Sequence, residues 1–381
     1  MTPRLSPVSF LRHCADVASF YGFVPLREIE KGISMRRGRG GFHSFTTSTE
    51  ACALHITTSK SVEPILTYYA TTAPTHVPPG ISPRDVGEFG MHVIGANESL
   101  GEIVLLKTMF SIMQEWGMRV SAVRLNAVGD KDSKARFERE LTAYLRRHLS
   151  ELCPNCQKAT TSNSFEIYAC EQEQCRGLLT EGPRTLSFLS EKSRAHFREV
   201  LEYIESIGLP YQIDDLLIGD EREPRIVFSL ELTDEDATVV AGVGGRFDEY
   251  ARRVMNRKDS AMVSGSLFFR KKGVTKQNAP QPQKQPSPKI YFVQLGSRAK
   301  LQGLTVIDML RAAQVPVAQS FDSHSLAPQL QCAREQGVKH LLIMGQREAL
   351  DGTVIVRSMQ NSSQQIVPLT TLPRFLKTLK I

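Results

Sequence analysis

The chain has 381 residues, 41% of them hydrophobic and 23% charged, with a formal net charge of +7; this balance suits an ordinary globular protein of two or three domains and excludes a disordered or fibrous one. No apolar run reaches membrane-spanning length and the first residues lack the apolar core of a signal peptide, so a cytoplasmic protein without a membrane partner is expected. Seven cysteines, an odd number, argue against a disulfide framework.

From Ser9 to Tyr21 the apolar residues Phe10, Leu11, Cys14, Val17, Ala18 and Phe20 recur at helical spacing, and Tyr21 to Leu26 (YGFVPL) reads as a strand. Arg36 to Gly41 (RRGRGG) is a basic, glycine-rich loop of a kind that is more often flexible than phosphate-binding. Asn97 to Met113 predicts an amphipathic helix, with Asn97 or Ser99 at its start and Glu102 three positions after Ser99. A strand follows over Ala122 to Asp130. Cys153 and Cys156 are then separated by thirteen residues from Cys170 and Cys175. Two thiol pairs are a candidate tetrahedral structural zinc site, although the second pair is widely spaced and free buried thiols are the alternative.

Glu191 to Ile207 reads as a helix and Ile226 to Leu230 as a strand. The β-branched run from Ala237 stops at Gly244 and Gly245, where the backbone can approach a ligand closely, and Arg246 and Asp248 follow. Lys271 to Pro288 is rich in Pro, Gln and Lys and nearly devoid of apolar residues, which marks a linker between a core at 1–270 and a second domain at 289–381. Beyond it, strands at 290–295, 315–318, 340–344 and 352–359 alternate with helices at 301–313, 326–336 and 369–379, the pattern of a small α/β sheet. This last part carries eleven Lys or Arg against five Asp or Glu, so +6 of the charge lies there and makes it the expected nucleic-acid face.

The stretch Gly244-Gly-Arg-Phe-Asp248 resembles the GGR(F/Y)D motif that ends a central strand in histidyl-tRNA synthetases. Other segments resemble that family in the same order. YGFVPL is similar to the first class II block, which in the family forms the dimer interface; Arg84 to Gly95 is similar to the second, Leu125-Asn-Ala-Val-Gly-Asp130 to L-x-x-N-S-x-G-D, and Ser260 to Arg270 to the third. Leu341 to Met359 resembles the class IIa anticodon-binding domain, with Gly345 and Glu348 in its G-x-x-E turn.

The resemblance implies an α+β fold: a class II antiparallel sheet core with helices, a cysteine-bearing insert at about 150–178, and a C-terminal α/β anticodon-binding domain. It implies a homodimer that binds tRNA or a related RNA through the last domain. By the same resemblance Arg84 and Arg270 are the candidate catalytic arginines, and Glu50, Glu88, His92, Gly244, Gly245, Arg246 and Asp248 the candidate substrate-binding residues.

The chain departs from the family at its site. Ser48 and Thr49 stand where Arg and Pro are expected, Glu88 replaces a glutamine and His92 a glutamate, the arginine expected near Thr75 is missing, and the tandem tyrosines are lost around Leu216 to Arg225. An adenylate-forming site needs a fixed cation against the α-phosphate, so these losses predict a degenerate histidine and ATP site without aminoacylation. The alternatives are an active but diverged histidine–tRNA ligase using ATP and magnesium, with Arg222 or Arg225 replacing the lost arginine, or a regulatory subunit like that of ATP phosphoribosyltransferase. The anticodon-binding domain argues against the last.

Overall fold

The computed structural model describes residues 6–30, 44–59, 64–96, 98–220, 222–233, 238–271, 288–319, 325–361 and 363–379. The basic loop at 36–41 and all but the ends of the predicted linker lie outside them.

The N-terminal part begins with α1 (Pro7–Phe20), started by the Ser6 hydroxyl, which accepts from the Ser9 amide, and by Pro7 in the first turn. Only Val24–Pro25 of the expected YGFVPL strand pairs, as β1, before the chain turns into α2 (Leu26–Glu30), which buries Leu26 and Ile29. Next come α3 (Phe45–Ser59), β2 (Ile65–Thr71), β3 (Val86–Ile94), α4 (Leu100–Glu115), β4 (Val120–Ala127) and α5 (Lys131–Arg147). Two nine-residue helices, α6 (Pro154–Ser162) and α7 (Glu173–Glu181), carry the cysteines. They are followed by α8 (Glu191–Ser206), β5 (Tyr211–Ile213), β6 (Ile226–Leu232), β7 (Val239–Arg246), α9 (Asp248–Met255) and β8 (Met262–Arg270).

These strands form one sheet in the order β1-β2-β3-β8-β7-β6-β4-β5. The six from β2 to β4 pair antiparallel, while β1 and β5 join its edges in parallel. The register sets Glu88 opposite Phe268, Gly90 opposite Ser266 and His92 opposite Ser264. Because side chains alternate along a strand, these residues share one face. The other face carries Phe89, Met91, Val93, Val263, Leu267 and Phe269, buried with apolar residues of α1 and α4 in the main core. On the first face a smaller apolar layer from α2, α3 and α9 packs around Phe45, Tyr69 and Phe247.

Ser99 precedes α4, but its hydroxyl makes no cap bond and donates instead to Glu199 at 2.5 Å. The carboxylate of α8 outcompetes the helix end for it. Asp130 and Ser190 start α5 and α8 together: Asp130 accepts from the Ser133 amide and from the Ser190 hydroxyl, and Ser190 accepts from the Ser193 amide.

The C-terminal part has β9 (Ile290–Gln294), α10 (Ser297–Ala312), β10 (Val317–Gln319), α11 (Leu326–Glu335), β11 (His340–Met344), α12 (Gln346–Asp351), β12 (Thr353–Ser358), β13 (Gln364–Pro368) and α13 (Leu372–Thr378). Its sheet runs β10-β9-β11-β12-β13, parallel through β11 and antiparallel beyond it. The short α12 and the edge strand β13 are additions to the sequence expectation; β13 buries only Val367 and so lacks an apolar pattern. Helix α10 packs against α4, and the main core continues from Met109 and Ile112 to Leu304, Ile307 and Leu310. Among the described residues no helix is long and apolar enough to cross a membrane.

Candidate functional site

The candidate site lies on the sheet face that presents Glu88, His92, Ser264 and Ser266, beneath α3 and α9. His92 is fully buried, with Nε2 2.6 Å from Ser48 Oγ and Nδ1 2.7 Å from Ser264 Oγ. The single Ser48 hydroxyl proton is directed to the helix carbonyls of Ser44 and Phe45 at 2.7 and 2.9 Å. That network assigns the ring proton to Nε2, and Nδ1 accepts from Ser264. Burial, helped by the nearby positive Arg222, pushes His92 down to about 3, so the ring is neutral.

Glu88 is also buried; its Oε1 accepts from the Tyr69 hydroxyl at 2.7 Å and from Ser266 at 2.6 Å, while Oε2 is buried with no hydrogen-bond partner among the described residues. Burial raises Glu88 and, more strongly, Tyr69, whose phenol also feels the carboxyl beside it. The Tyr69 ring crosses above Gly90, where a Cβ would lie 2.2 Å from it. Gly90 is therefore required by the close approach of a neighbouring ring.

Phe45 is the hub of the cover. Its ring stands edge-on to His92 at 5.2 Å and to Phe247 at 5.5 Å. The guanidinium of Arg222 lies 4.3 Å from the centroid of Phe45 and 4.8 Å from that of Phe247. Its Nε is 2.8 and 2.9 Å from the two oxygens of Asp220, and the Arg222 side chain is only 11% exposed. Arg222 thus supplies the positive charge of this site. Arg225 is directed elsewhere, to Asp248 at 2.8 Å.

Several candidates stand elsewhere. Arg246, one residue past Gly245, projects from the opposite sheet face and is 1% exposed. Its Nε and one terminal nitrogen bind both Glu102 oxygens at 2.7 and 2.8 Å, and further bonds reach Asp248 and the Ala96 and Glu98 carbonyls. Glu102 also binds His196 at 2.8 Å. Burial, the largest influence on Glu102, raises it, but Arg246 and His196 together hold it down to about 2. Asp248 accepts from Arg246, Arg225 and the Met262 amide. The side chains of Arg246 and Asp248, expected to bind substrate, thus meet their partners inside the core.

Gly244 faces Phe228, whose ring would lie 2.4 Å from a Cβ, and Gly245 lies beneath Pro224, so chain neighbours fill both approaches. Glu50 is exposed on α3, two residues and about 200° around the helix from the inward-facing Ser48. Arg84 is exposed before β3, and Arg270 is exposed at the end of β8, opposite Val86. At about 3.3 Å per residue Arg270 sits roughly 13 Å along the strand from Ser266. The structure places Glu88 and His92 on one sheet face, each against Tyr69, with Arg84 and Arg270 exposed at its margin.

Tyr69, Ser264, Ser266, Phe45 and Phe247 were not named as site residues. The spacing of Ser264 and Ser266 around Gly265 shows that the two serines share a face, yet only the strand register shows that this face meets Glu88.

The four cysteines form a separate cluster. All four sulfurs lie within 4.8 Å of one another, with Cys153 and Cys170 3.9 Å apart. Tetrahedral bonds of 2.3 Å to a common ion separate thiolate sulfurs by about 3.8 Å, so this donor set could hold a metal.

Residues 289–379 match the family model described as Anticodon binding domain. The chain is 24% identical over 290 residues, 76% of its own length and 69% of the relative's, to a histidine–tRNA ligase of Dehalococcoides mccartyi. It is 26% identical over 301 residues, 77% and 70% of the two lengths, to a histidine–tRNA ligase of Desulforamulus reducens. The anticodon-binding domain and the likeness to histidine–tRNA ligases over three quarters of the chain support a member of the class II histidyl-tRNA synthetase family. Among solved structures it is similar to the apo histidyl-tRNA synthetase of S. aureus, with a TM-score of 0.49, 18% identity and coverage of 95% of this chain and 93% of that one. The cover of Arg222 and Phe45 lies on the sheet face where β3 and β8 pair.

Proposed function

We propose that this histidyl-tRNA synthetase family member binds tRNA or a related RNA through its anticodon-binding domain, as a cytoplasmic homodimer, and has lost histidine activation. The observation that carries the reading is the filled site: a neutral, enclosed His92 bridges two serines while the Arg222 guanidinium, neutralised by Asp220, occupies the space between Phe45 and Phe247. A cation paired with its own carboxylate is poorly placed to meet an α-phosphate. Arg84 and Arg270, exposed at the far end of the β3–β8 ladder, do not remedy this. The basic excess after Lys289 and the family match there support the RNA role.

The cysteine cluster is proposed to hold a structural zinc ion. Four protein ligands would leave no position for a reacting water, so the metal would join the insert to itself and take no part in a reaction.

The test is histidine-dependent exchange of labelled pyrophosphate into ATP, run beside retention of tRNA on filters at several salt concentrations. The expected result is no exchange, with tRNA retention that falls as salt rises and that weakens when Lys339, Arg347 and Arg357 are replaced by alanine. Robust exchange would overturn the loss of activation and make this an active, diverged ligase. Unchanged retention in the triple variant would overturn the RNA face.

A further inference from the structure

A guanidinium between two aromatic rings, with a carboxylate on its edge, is how a protein recognises a cationic ligand. Here the cation belongs to the chain. Arg222 reaches the rings from the segment between β5 and β6, and its backbone amide also binds Asp220 at 3.0 Å. The segment is shaped for this. Gly219 takes a φ of +94°, with Pro224 packed where its Cβ would be, and Glu223 takes a φ of +56°, a conformation a glutamate adopts only at a cost. The Glu223 carbonyl is held in place by the Lys134 ammonium at 2.7 Å. The glycine turn before Arg222 and the strained Glu223 after it are held by contacts whose shared result is delivery of its head into the cage.

We propose that Arg222 is a tethered occupant of a cation-binding cage built from Phe45, Phe247 and Asp220, and that the cage takes a free guanidinium when this side chain is removed. The inference rests on the reading of the site as filled. It adds what the filled space selects: a planar cation that lies against two rings set nearly perpendicular to each other and meets one carboxylate. A free ligand competes against an occupant that is already positioned and loses no translational freedom, so the intact protein excludes it.

The experiment uses the full chain and methylguanidinium as the probe, with binding followed by calorimetry and by the shift of the thermal midpoint. The wild-type protein is expected to bind no probe at millimolar concentration. Arg222→Ala is expected to lower the midpoint by several degrees, to bind one equivalent of methylguanidinium at millimolar concentration and to recover at least half of the lost midpoint. Arg222→Lys keeps the charge but loses the planar stack, and is expected to recover less than the alanine variant does. Adding Phe45→Leu to Arg222→Ala should abolish the binding.

Equal binding by wild type and Arg222→Ala, or a folded Arg222→Ala that takes up no probe, would overturn the proposal. If the alanine variant does not fold alone, refolding that requires methylguanidinium supports the cage, and refolding produced equally by sodium chloride at the same concentration overturns it. Pyrophosphate exchange by the wild type would remove the loss of histidine activation and leave this binding result readable.

Discussion

His92 and the Arg246–Glu102 pair show two ways in which this fold buries ionisable side chains, and both lose stability in acid, over different pH ranges. His92 is held neutral between two hydroxyls, pushed down to about 3 by burial. In the unfolded chain its imidazole takes a proton near pH 6.5, so acid favours the unfolded state: stability present above pH 6.5 is lost as pH falls from there towards 3. Glu102, held by Arg246 and His196 down to about 2, keeps its contribution until pH falls below about 4.5 and then loses it towards 2. His13 and His340, also lowered by burial, act in the same window as His92. The difference between wild type and His92→Gln therefore isolates the one residue. Urea unfolding is expected to show wild-type stability falling between pH 7 and 4.5, with about 2–3 kcal/mol of the fall due to His92, at about 1.4 kcal/mol per pH unit. His92→Gln should flatten that slope. A slope unchanged by the substitution would mean that the ring is protonated in the folded protein, and the assignment of its two serine bonds would be wrong.

At the scale of elements, the cysteine insert depends most on contacts between distant residues. Helices α6 and α7 have nine residues each and no side-chain cap bond at either start, and helices so short are marginal without tertiary support. Their support is a small core of Leu152, Ile167, Leu178 and Leu179 against Phe137 and Leu141 of α5, with the sulfurs at its edge. Metal analysis of protein purified without chelator is expected to give one zinc per chain. Cys153→Ser with Cys156→Ser, or prolonged chelation, should remove the metal and lower the thermal midpoint by several degrees. A metal-free protein whose midpoint is unmoved by the double substitution would return the four thiols to plain packing. The cysteine pairs were legible because their spacing is local, as were β7 and its glycines, helices α1, α4, α8, α10, α11 and α13, and the parallel part of the C-terminal sheet. What the sequence hid was set by pairing. Gly245 and Arg246 are neighbours on opposite faces, and nothing local says which face meets the site. Glu102 lies 144 positions from Arg246, and no periodicity links them. In the sequence Arg222 reads only as a replacement for a lost arginine, since its contact with Phe45 depends on how a loop crosses the sheet. Strand β13 escaped because a strand with one buried residue carries no alternating pattern.

At the scale of the whole molecule, the anticodon-binding domain meets the core across a patch that is partly apolar and partly ionic. Asp308 on α10 accepts from the Tyr21 hydroxyl and pairs with Lys107 of α4 at 2.6 Å; Arg311, one turn later, pairs with Glu115 at the end of α4. Tyr21 also shares a hydrogen bond with Ser111 at 2.9 Å, and Gln319 donates to the Phe20 carbonyl at 3.1 Å. Beneath these lies the continuous core from Ile112 to Ile307. Domains joined by small polar contacts usually move relative to one another; here apolar burial attracts the two parts and the polar groups set their angle, because one carboxylate must meet a phenol and an ammonium at once. The distance from the C-terminal sheet to the filled site is thereby fixed. Asp308→Ala leaves Tyr21 and Lys107 without their acceptor while sparing the apolar layer, so the fold of each part should survive and their union should weaken. Wild type is expected to unfold in one thermal transition and Asp308→Ala in two, with a measurable rise in the radius of gyration by small-angle scattering before the first. The cycle of Lys107→Ala and Asp308→Ala should give a coupling of about 1 kcal/mol. A single transition and an unchanged radius in Asp308→Ala would mean that apolar packing alone holds the domains, and the ionic contacts would then contribute nothing to their angle.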